Sequence, residues 1–309
     1  MSTDTIYYGL DIGGTKIELA AYDADMQSLH SKRIATPTSD YAVFLQSVQN
    51  LVVEADTFLG TKAVVGLGVP GVVDAYTGGH LSANIPAIKG ANLRLDLQQR
   101  LQREVVVAND CHCFAMSEAN GGAAEGYSSM FGAIIGTGVG GGFCINGKLV
   151  SGRNGVAGEW GHWSVSAALL AQYQLPLFDS ALSMPGILER YISGSGLSRL
   201  YQLQGGGDAD VITIVERANR SELDAQRAID IHTDLVAQGL ATLVMALDPQ
   251  IIVLGGGLSN MKHLYADLPA AIARHLFAGV GVPPVVPPAF GDAGGARGAA
   301  MLVRTRASV

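Results

Sequence analysis

Apolar residues recur along this chain with two periods, and the periods alternate. Ile6–Leu10 is a short strand-like run. It leads into Asp11-Ile-Gly-Gly-Thr-Lys16, and Ile17–Tyr22 then reads as a second strand. A third strand is expected near 28–34. Pro37 and Ser39-Asp40 end it and cap a helix. Tyr41, Phe44, Leu45, Val48, Leu51, Val52, Ala55, Phe58 and Leu59 then recur at helical spacing, and Gly60 supplies the stop. Val64–Val69, ending at Pro70-Gly71, reads as a buried parallel strand. Leu93–Leu101 is expected to be helical, Val105–Val107 to be a strand, and Cys113–Asn120 to begin a helix.

The pattern then restarts. Phe131–Ile135 is a strand, Gly136-Thr-Gly-Val-Gly-Gly-Gly142 a glycine turn, and Phe143–Ile145 a strand. Asn146-Gly147 and Lys148–Val150 complete a hairpin. This order is a weak internal repeat, as in a duplicated domain. Ser221-Glu-Leu-Asp224 resembles a capping box, ahead of a long helix from Leu223 to Leu247 that Pro249 terminates. Ile251–Leu254 is a buried strand running into Gly255-Gly256-Gly257. A helix near Lys262–Phe277 and a terminal helix from about Gly295 close the chain.

Strand, glycine turn, strand presents backbone N–H groups to phosphate, because glycine lets the backbone approach closely. Two such hairpins can grip one nucleotide from two sides. The pair points to an ATP-dependent phosphotransferase with a cleft between two related halves. Either turn alone could be no more than a tight hairpin. Gly136, Gly138 and Gly141 also satisfy the dinucleotide-binding fingerprint, but a strand follows them where that motif needs a helix. A P-loop fails as well, since Gly13-Gly14-Thr15-Lys16 lacks the first glycine at Walker spacing.

Composition narrows the class. The 309 residues suit two domains of ordinary size. With 48% hydrophobic and 15% charged residues there is ample core and little room for long disorder. A net charge of -7 disfavours nucleic acid and anionic membrane as partners. The N-terminus lacks the charged and apolar regions of a signal peptide, and no apolar run is long enough to span a bilayer. The three cysteines give no disulfide framework, so a cytoplasmic location is expected. Cys111-His112-Cys113 does not read as a metal site, because adjacent residues on a helix point apart.

Asn109-Asp110 sits where the strand from Val105 ends, and ligands of parallel α/β sheets bind outside the carboxyl ends of strands. A carboxylate there can take the proton of an attacking hydroxyl, and the amide can hold neighbouring hydroxyls. The same pair could simply cap the next helix. Glu159-Trp-Gly-His162 and Glu189 add carboxylates and an imidazole in an apolar context. Sugar hydroxyls need both donors and acceptors, which this set supplies. Paired carboxylates also suit glycoside hydrolysis, but that reading leaves the glycine turns unexplained. His162 alone could be structural, and Gly255–Gly257 alone a tight βα loop.

Taken together, these residues resemble the ROK family (repressors, open reading frames, kinases) over essentially the whole chain. Asp11–Lys16 and Gly136–Gly142 match its phosphate motifs, Asn109-Asp110 its sugar and base pair, and Glu159–His162 its E-x-G-H motif. Gly255–Gly257 matches its adenosine motif, and Gly291-Asp-Ala-Gly294 with Gly298-Ala-Ala300 its C-terminal pattern. The resemblance implies an α/β fold of two actin-like (ribonuclease H-like) ATPase domains with a cleft between them. The expected division is 1–115 with a returning C-terminal helix 294–309, and 116–293. It implies Asp110 as general base, and Asn84, Asn109, Glu159, His162 and Glu189 as sugar contacts. It further implies Asp11, Gly13, Gly14, Thr15, Lys16, Gly136, Thr137, Gly138, Gly140, Gly256 and Gly257 as the ATP and Mg²⁺ site, with Asp11 positioning the metal through water. A homodimer is the family precedent.

Within the family the chain is most similar to bacterial N-acetylglucosamine kinases, through Tyr7-Tyr8-Gly9, Ala83-Asn84-Ile85-Pro86 and Leu175-Pro-Leu177. The implied activity is phosphorylation of the 6-hydroxyl of that sugar. A fructokinase or mannokinase is the alternative, and a sugar-sensing protein without catalysis a weaker one. A regulator of the family would carry a DNA-binding module ahead of Asp11, where this sequence has ten residues. One departure is large: Ser180, Leu182 and Ile187 stand where the family has zinc-binding cysteines, so no structural zinc is expected.

Overall fold

Two sheets with the same strand pattern carry the architecture. The computed structural model describes residues 5–74, 76–82, 85–179, 184–291 and 294–307. The chain divides into two units: Met1–Glu125, Gly142–Ala157 and Phe290–Val309 form the first, and Gly126–Gly141 and Gly158–Ala289 the second. Relative to the expected division, the first unit also takes in residues 116–125, 142–157 and 290–293.

In the first unit the elements are β1 (Tyr7–Ile12), β2 (Lys16–Tyr22), β3 (Ser28–Ala35), α1 (Tyr41–Leu59), β4 (Val65–Val69), β5 (Val72–Val73), β6 (His80–Leu81), α2 (Leu93–Leu101), β7 (Val105–Asn109) and α3 (Asp110–Ala119). Its sheet has the order β3-β2-β1-β4-β7. The pairs β1/β2 and β2/β3 are antiparallel, and β1/β4 and β4/β7 parallel. Strand β4 is wholly buried and reads as an apolar run, as parallel strands covered on both faces do. Helix α1 starts where Asp40 accepts from the Val43 N–H at 3.0 Å, and stops at Gly60 in the left-handed region. Its Phe44, Val48, Leu51, Val52 and Ala55 join Tyr8, Leu10, Leu19 and Leu67 in one core.

After α3 the chain forms β8 (Ser129–Ile135), β9 (Val139–Ile145) and β10 (Lys148–Leu149). The second unit's sheet has the order β9-β8-β11-β12, with β11 (Ile251–Gly255) parallel to both β8 and β12 (Val285–Val286). Strand β9 runs on past Gly141 into the first unit and there pairs β10 antiparallel. Strand order thus repeats between the sheets, as the duplicated pattern predicts. Helices α4 (Ala167–Gln172), α5 (Glu189–Ile192), α6 (Gly194–Leu203), α7 (Val211–Asn219), α8 (Leu223–Leu247) and α9 (Lys262–Arg274) complete the second unit. Helix α8 is its spine, and α5, α6, α7 and α9 all pack on it.

The expected capping box at Ser221 does not form. Ser221 adopts φ 64°, Glu222 takes the cap position, and no side chain caps the helix. Helix α3 begins three residues earlier than its apolar pattern indicates, because the Asn109 side chain accepts from the Cys111 N–H at 2.8 Å and caps it. Helix α9 stops at Arg274, short of the expected Phe277.

Helix α10 (Gly294–Ala307) returns to the first unit and packs on α3, β1 and β4. The approach is backbone to backbone. A Cβ on Gly9 would overlap the Ala296 carbonyl oxygen, one on Gly66 that of Ala299, and one on Gly298 that of Cys113. Arg297 closes the contact. Its Nη1 donates to the Ser117 carbonyl at 2.9 Å, and its guanidinium lies 4.1 Å over the Phe290 ring. Alanine gains about 1 kcal/mol over glycine in a helix interior. At Gly298 sterics should win, since neither backbone can yield. Gly298→Ala is expected to destabilise by about 3 kcal/mol or more in urea unfolding, whereas Gly281→Ala, which meets nothing within 4 Å, stays within about 0.5 kcal/mol of the parent. Equal midpoints for the two would refute this packing.

Candidate active site

In the first unit the predicted residues gather at the carboxyl ends of β1 and β7. The turn between β1 and β2 is closed by Gly13 N–H donating to the Lys16 carbonyl at 2.9 Å. Thr36 straps it from outside: its hydroxyl donates to the Gly13 carbonyl at 2.7 Å and its N–H to that of Thr15 at 3.1 Å. Gly14 and Thr15 form the tip, and Thr15 is exposed. Asp11 lies against the first turn of α10, where a Cβ on Gly295 would come 2.6 Å from Oδ2. A helix N-terminus carries partial positive charge, so the carboxylate suits that place.

Asp110 is the first residue of α3 and is likewise an acidic group at a helix start. Cys113 reports both carboxylates. Burial pushes its thiol pKa well up, and the charges of Asp11 and Asp110 add to the rise. Asn109 is used at both ends: Oδ1 caps α3, and Nδ2 donates to the Gly71 carbonyl at 3.0 Å. The cap reading of Asn109 is therefore correct, and one N–H and one lone pair remain for a ligand. Asn84 lies outside the described residues.

In the second unit Glu159, His162 and Glu189 come together. Backbone pairing does this. Val165 N–H donates to the Gly186 carbonyl at 3.0 Å, Leu188 N–H to that of Trp163 at 2.7 Å, and Ser164 bridges Ile187. The pairing fixes the segment after His162 against the segment before Glu189. Trp160, fully buried, anchors the other side by donating Nε1–H to the Gly140 carbonyl at 2.7 Å. Glu159 Oε2 lies 3.5 Å from His162 Nδ1. Contact with the Glu159 carboxylate raises the His162 pKa above its usual value, burial opposes, and the charges of Glu159 and Glu189 add. The set offers two carboxylates and a donor to a polyol.

Glu189 also touches the second glycine turn. Its Oε2 accepts from Val139 N–H at 2.8 Å, and a Cβ on Gly138 would come 3.1 Å from it. Gly136 N–H closes the turn onto the Gly138 carbonyl at 2.9 Å, while Gly194 N–H donates to the Gly136 carbonyl at 2.9 Å. Thr137 is exposed at the tip. The β11 loop arrives beside it: a Cβ on Gly136 would lie 3.5 Å from Gly257 N, and one on Gly257 would meet nothing within 4 Å. Gly256, at φ 78°, packs on the Ile135 carbonyl. Gly140 is buried within β9 and its carbonyl serves Trp160. Sequence reasoning missed Thr36, Trp160 and Gly194. Trp160 lies inside the Glu159–His162 motif and Gly194 beside Gly196, but nothing local shows that their bonds reach Gly140 and Gly136, and Thr36 lies outside any such cluster.

A ROK family model matches residues 7–306. The chain belongs to the ROK family. It is 44% identical over 297 residues to the N-acetylgalactosamine kinase AgaK of Shewanella sp. (strain ANA-3), covering 96% of each chain. It is 41% identical over 299 residues to the N-acetyl-D-glucosamine kinase of Yersinia enterocolitica serotype O:8, covering 96% of this chain and 99% of that one. Among solved structures it resembles the ROK family glucokinase from Streptomyces griseus in complex with glucose and AMPPNP, at 28% identity and a TM-score of 0.76, covering 97% of this chain and 99% of that one. The fold is the actin-like, two-domain ATPase fold of these ROK kinases.

Zinc does not fit the donor set. Ile187 is 3% exposed and offers no ligand atom, and Ser180 and Leu182 lie outside the described residues but carry no thiolate. No group of three or more candidate ligands occurs among the described residues. The flanking segment is held by apolar and aromatic contacts instead. Phe178 packs on Tyr191 at 4.7 Å between centroids, and Tyr191 donates its hydroxyl to the Pro176 carbonyl at 2.8 Å. Purified protein should hold no stoichiometric zinc by elemental analysis, and a zinc chelator should leave its melting temperature unchanged; one zinc per chain would refute this.

A second measurement concerns the imidazole. Because the His162 pKa is raised, the Glu159 pair is complete below the ordinary histidine pKa and is lost as pH rises through the raised value. Glu159→Gln should lower the ring's titration midpoint, followed by NMR of its Hε1 proton. An unchanged midpoint would remove Glu159 as the cause.

Proposed function

We propose that this protein is an ATP-dependent kinase that phosphorylates the 6-hydroxyl of N-acetyl-D-glucosamine. The observation that carries the reading is the grouping of Glu159, His162 and Glu189, a set suited to hydroxyls, with Glu189 bonded directly to the second glycine turn. Two near-full-length relatives named as N-acetylhexosamine kinases support the substrate class. The reading includes Mg²⁺ arriving with ATP, for which Asp11 offers a carboxylate oxygen at the end of β1. The metal would screen charge on the phosphates.

In this reading the 6-oxygen attacks the γ-phosphorus, its proton passes to Asp110, and the bond to the β-phosphate oxygen breaks to release ADP. Phosphoryl transfer rests on positioning and charge stabilisation. The rigid placement of Asp110 at the start of α3 suits that demand. Asn109 holds hydroxyls with its remaining valences. Gly13–Lys16 and Gly136–Gly138 offer backbone to the phosphates, and the space beside Gly257 takes the adenosine.

A second reading, N-acetyl-D-galactosamine as substrate, is favoured by one observation: the relative of that name shares 44% identity, against 41% for the glucosamine kinase. The two sugars differ only at the C4 hydroxyl. A coupled assay across both sugars, glucose, mannose and fructose decides, with N-acetylglucosamine expected to give the highest kcat/KM. A preference for mannose or fructose would overturn the substrate class. Asp110→Asn should lower kcat by about 10²–10⁴, the usual worth of a positioned base, with folding and ATP binding kept. Near-normal turnover in that variant would take Asp110 out of the mechanism.

A further inference from the structure

Beside Asn109 and Asp110 lies a buried side chain that the proposed reaction does not use. His80 opens β6 and is 2% exposed. Its Nε2 sits 3.0 Å from the Pro70 carbonyl oxygen. A carbonyl only accepts, so Nε2 carries the proton and Nδ1 holds the lone pair. Nδ1 is buried and has no hydrogen-bond partner among the described residues. A second proton would find no acceptor among them. Burial holds the His80 pKa below its usual value, although the bond to Pro70 and the charge of Asp110 oppose the shift. The ring is a neutral, single-tautomer donor.

What it donates to matters. Pro70 precedes Gly71, whose carbonyl accepts from Asn109 Nδ2 at 3.0 Å. Gly71 is at φ 99°, and a Cβ there would overlap the Leu81 carbonyl, so this peptide is pressed onto β6. Two successive carbonyls are thus held, one by His80 and the next by Asn109. Asn109 in turn caps α3 through Cys111 N–H, and Asp110 lies between those two residues. The path from His80 to Asp110 is continuous: ring, Pro70, Gly71, Asn109 side chain, start of α3.

We propose that His80 is a positioning residue that fixes the Asn109–Asp110 pair through the Pro70–Gly71 peptide. The proposal rests on the roles given to that pair under the proposed function. Positioning of this kind is valuable because a displacement of about 1 Å can cost about 100-fold in rate. His80 is absent from the sugar-contact set, and its burial keeps it from touching substrate.

The test compares two substitutions. Glutamine can reach Pro70 with an amide N–H, while asparagine is one methylene too short. His80→Gln should keep most of the activity. His80→Asn should lose about 10- to 100-fold in kcat/KM for the sugar, with KM for ATP unchanged. His80→Thr, whose β-branched side chain suits a strand, gives the same truncation if His80→Asn does not fold. In an Asn109→Ala background the truncation should cost much less, because the pair acts as one unit. Equal kcat/KM for the glutamine and truncated variants, or an equal cost of truncation in both backgrounds, would overturn the proposal. Amide hydrogen exchange at Cys111 needs no substrate. It should be faster in the truncated variant than in His80→Gln, and equal rates would also overturn the proposal. If the parent enzyme phosphorylates no N-acetylhexosamine, the functional reading fails while the exchange experiment still decides on His80.

Discussion

The constraint on which the first unit depends is the absence of side chains where α10 meets β1, β4 and α3. Gly9, Gly66 and Gly298 let carbonyl oxygens stand where a Cβ would be. Close contact of this kind leaves no space to relax into, since protein interiors are packed as densely as organic crystals. The consequence reaches the chemistry. Asp11, the next-to-last residue of β1, lies against the first turn of α10, and Asp110 begins α3, which α10 also clamps. A helix from the far end of the sequence therefore sets two carboxylates that lie about a hundred residues apart. Arg297 ties the same helix to the last turn of α3. Burial holds the Arg297 pKa below its usual value, the Arg304 charge adds to that, and the Glu118 and Glu125 carboxylates oppose it only in part.

The second unit reaches similar rigidity by another route. Its predicted hydroxyl-binding set stands on a short backbone ladder between residues 163–165 and 186–188, with Trp160 buried beneath. A Cβ on Gly161 would overlap the Val139 carbonyl, so the turn carrying Glu159 and His162 is pressed onto β9. Glu189 is the joint. One oxygen accepts the Val139 N–H, which couples the sugar-type set to the glycine turn without any intervening side chain. Charge-assisted bonds from backbone N–H to carboxylate are stronger than neutral ones, so the joint holds position and leaves the second oxygen for a ligand.

Much of this was legible in sequence because the signals are local. Helix α1 shows its cap, its apolar face and its glycine stop between Asp40 and Gly60, and the structure has all three at the expected places. The repeated strand, turn, strand pattern anticipates the matching sheet orders. Failures occur where a local signal competes with a distant one. The Ser221 to Asp224 spacing fits a capping box, yet Ser221 adopts a left-handed conformation as the chain turns out of α7, and its hydroxyl does not reach the helix start. Helices α4 and α5 are too short to show a period, and packing on α8 rather than propensity accounts for α5. Asn109 was readable both as a cap and as a ligand residue. Only the Gly71 carbonyl, 38 positions away, shows how the two uses coexist.

The replaced zinc loop follows from the same logic of substitution. A metal at such a site would join the segment after His162 to the segment before Glu189. Here the ladder at Ser164 and Ile187 makes that join directly, and Tyr191 draws Pro176 and Phe178 onto it through its hydroxyl. Ile187 and Leu188 are buried, and full burial of such side chains contributes about 1.5–3 kcal/mol each. Arg199 lies 5.8 Å over Phe178 and closes the outer side. With the join made by backbone and apolar contact, His162 has no ligand duty, and its imidazole pairs with Glu159 instead. With Nδ1 donating to Glu159, Nε2 can accept from a hydroxyl when the ring is neutral and donate to one when it is protonated, whereas a zinc-bound histidine has committed a ring nitrogen to the metal. Without a metal ligand duty, Nδ1 serves the Glu159 pair and Nε2 is left for a ligand.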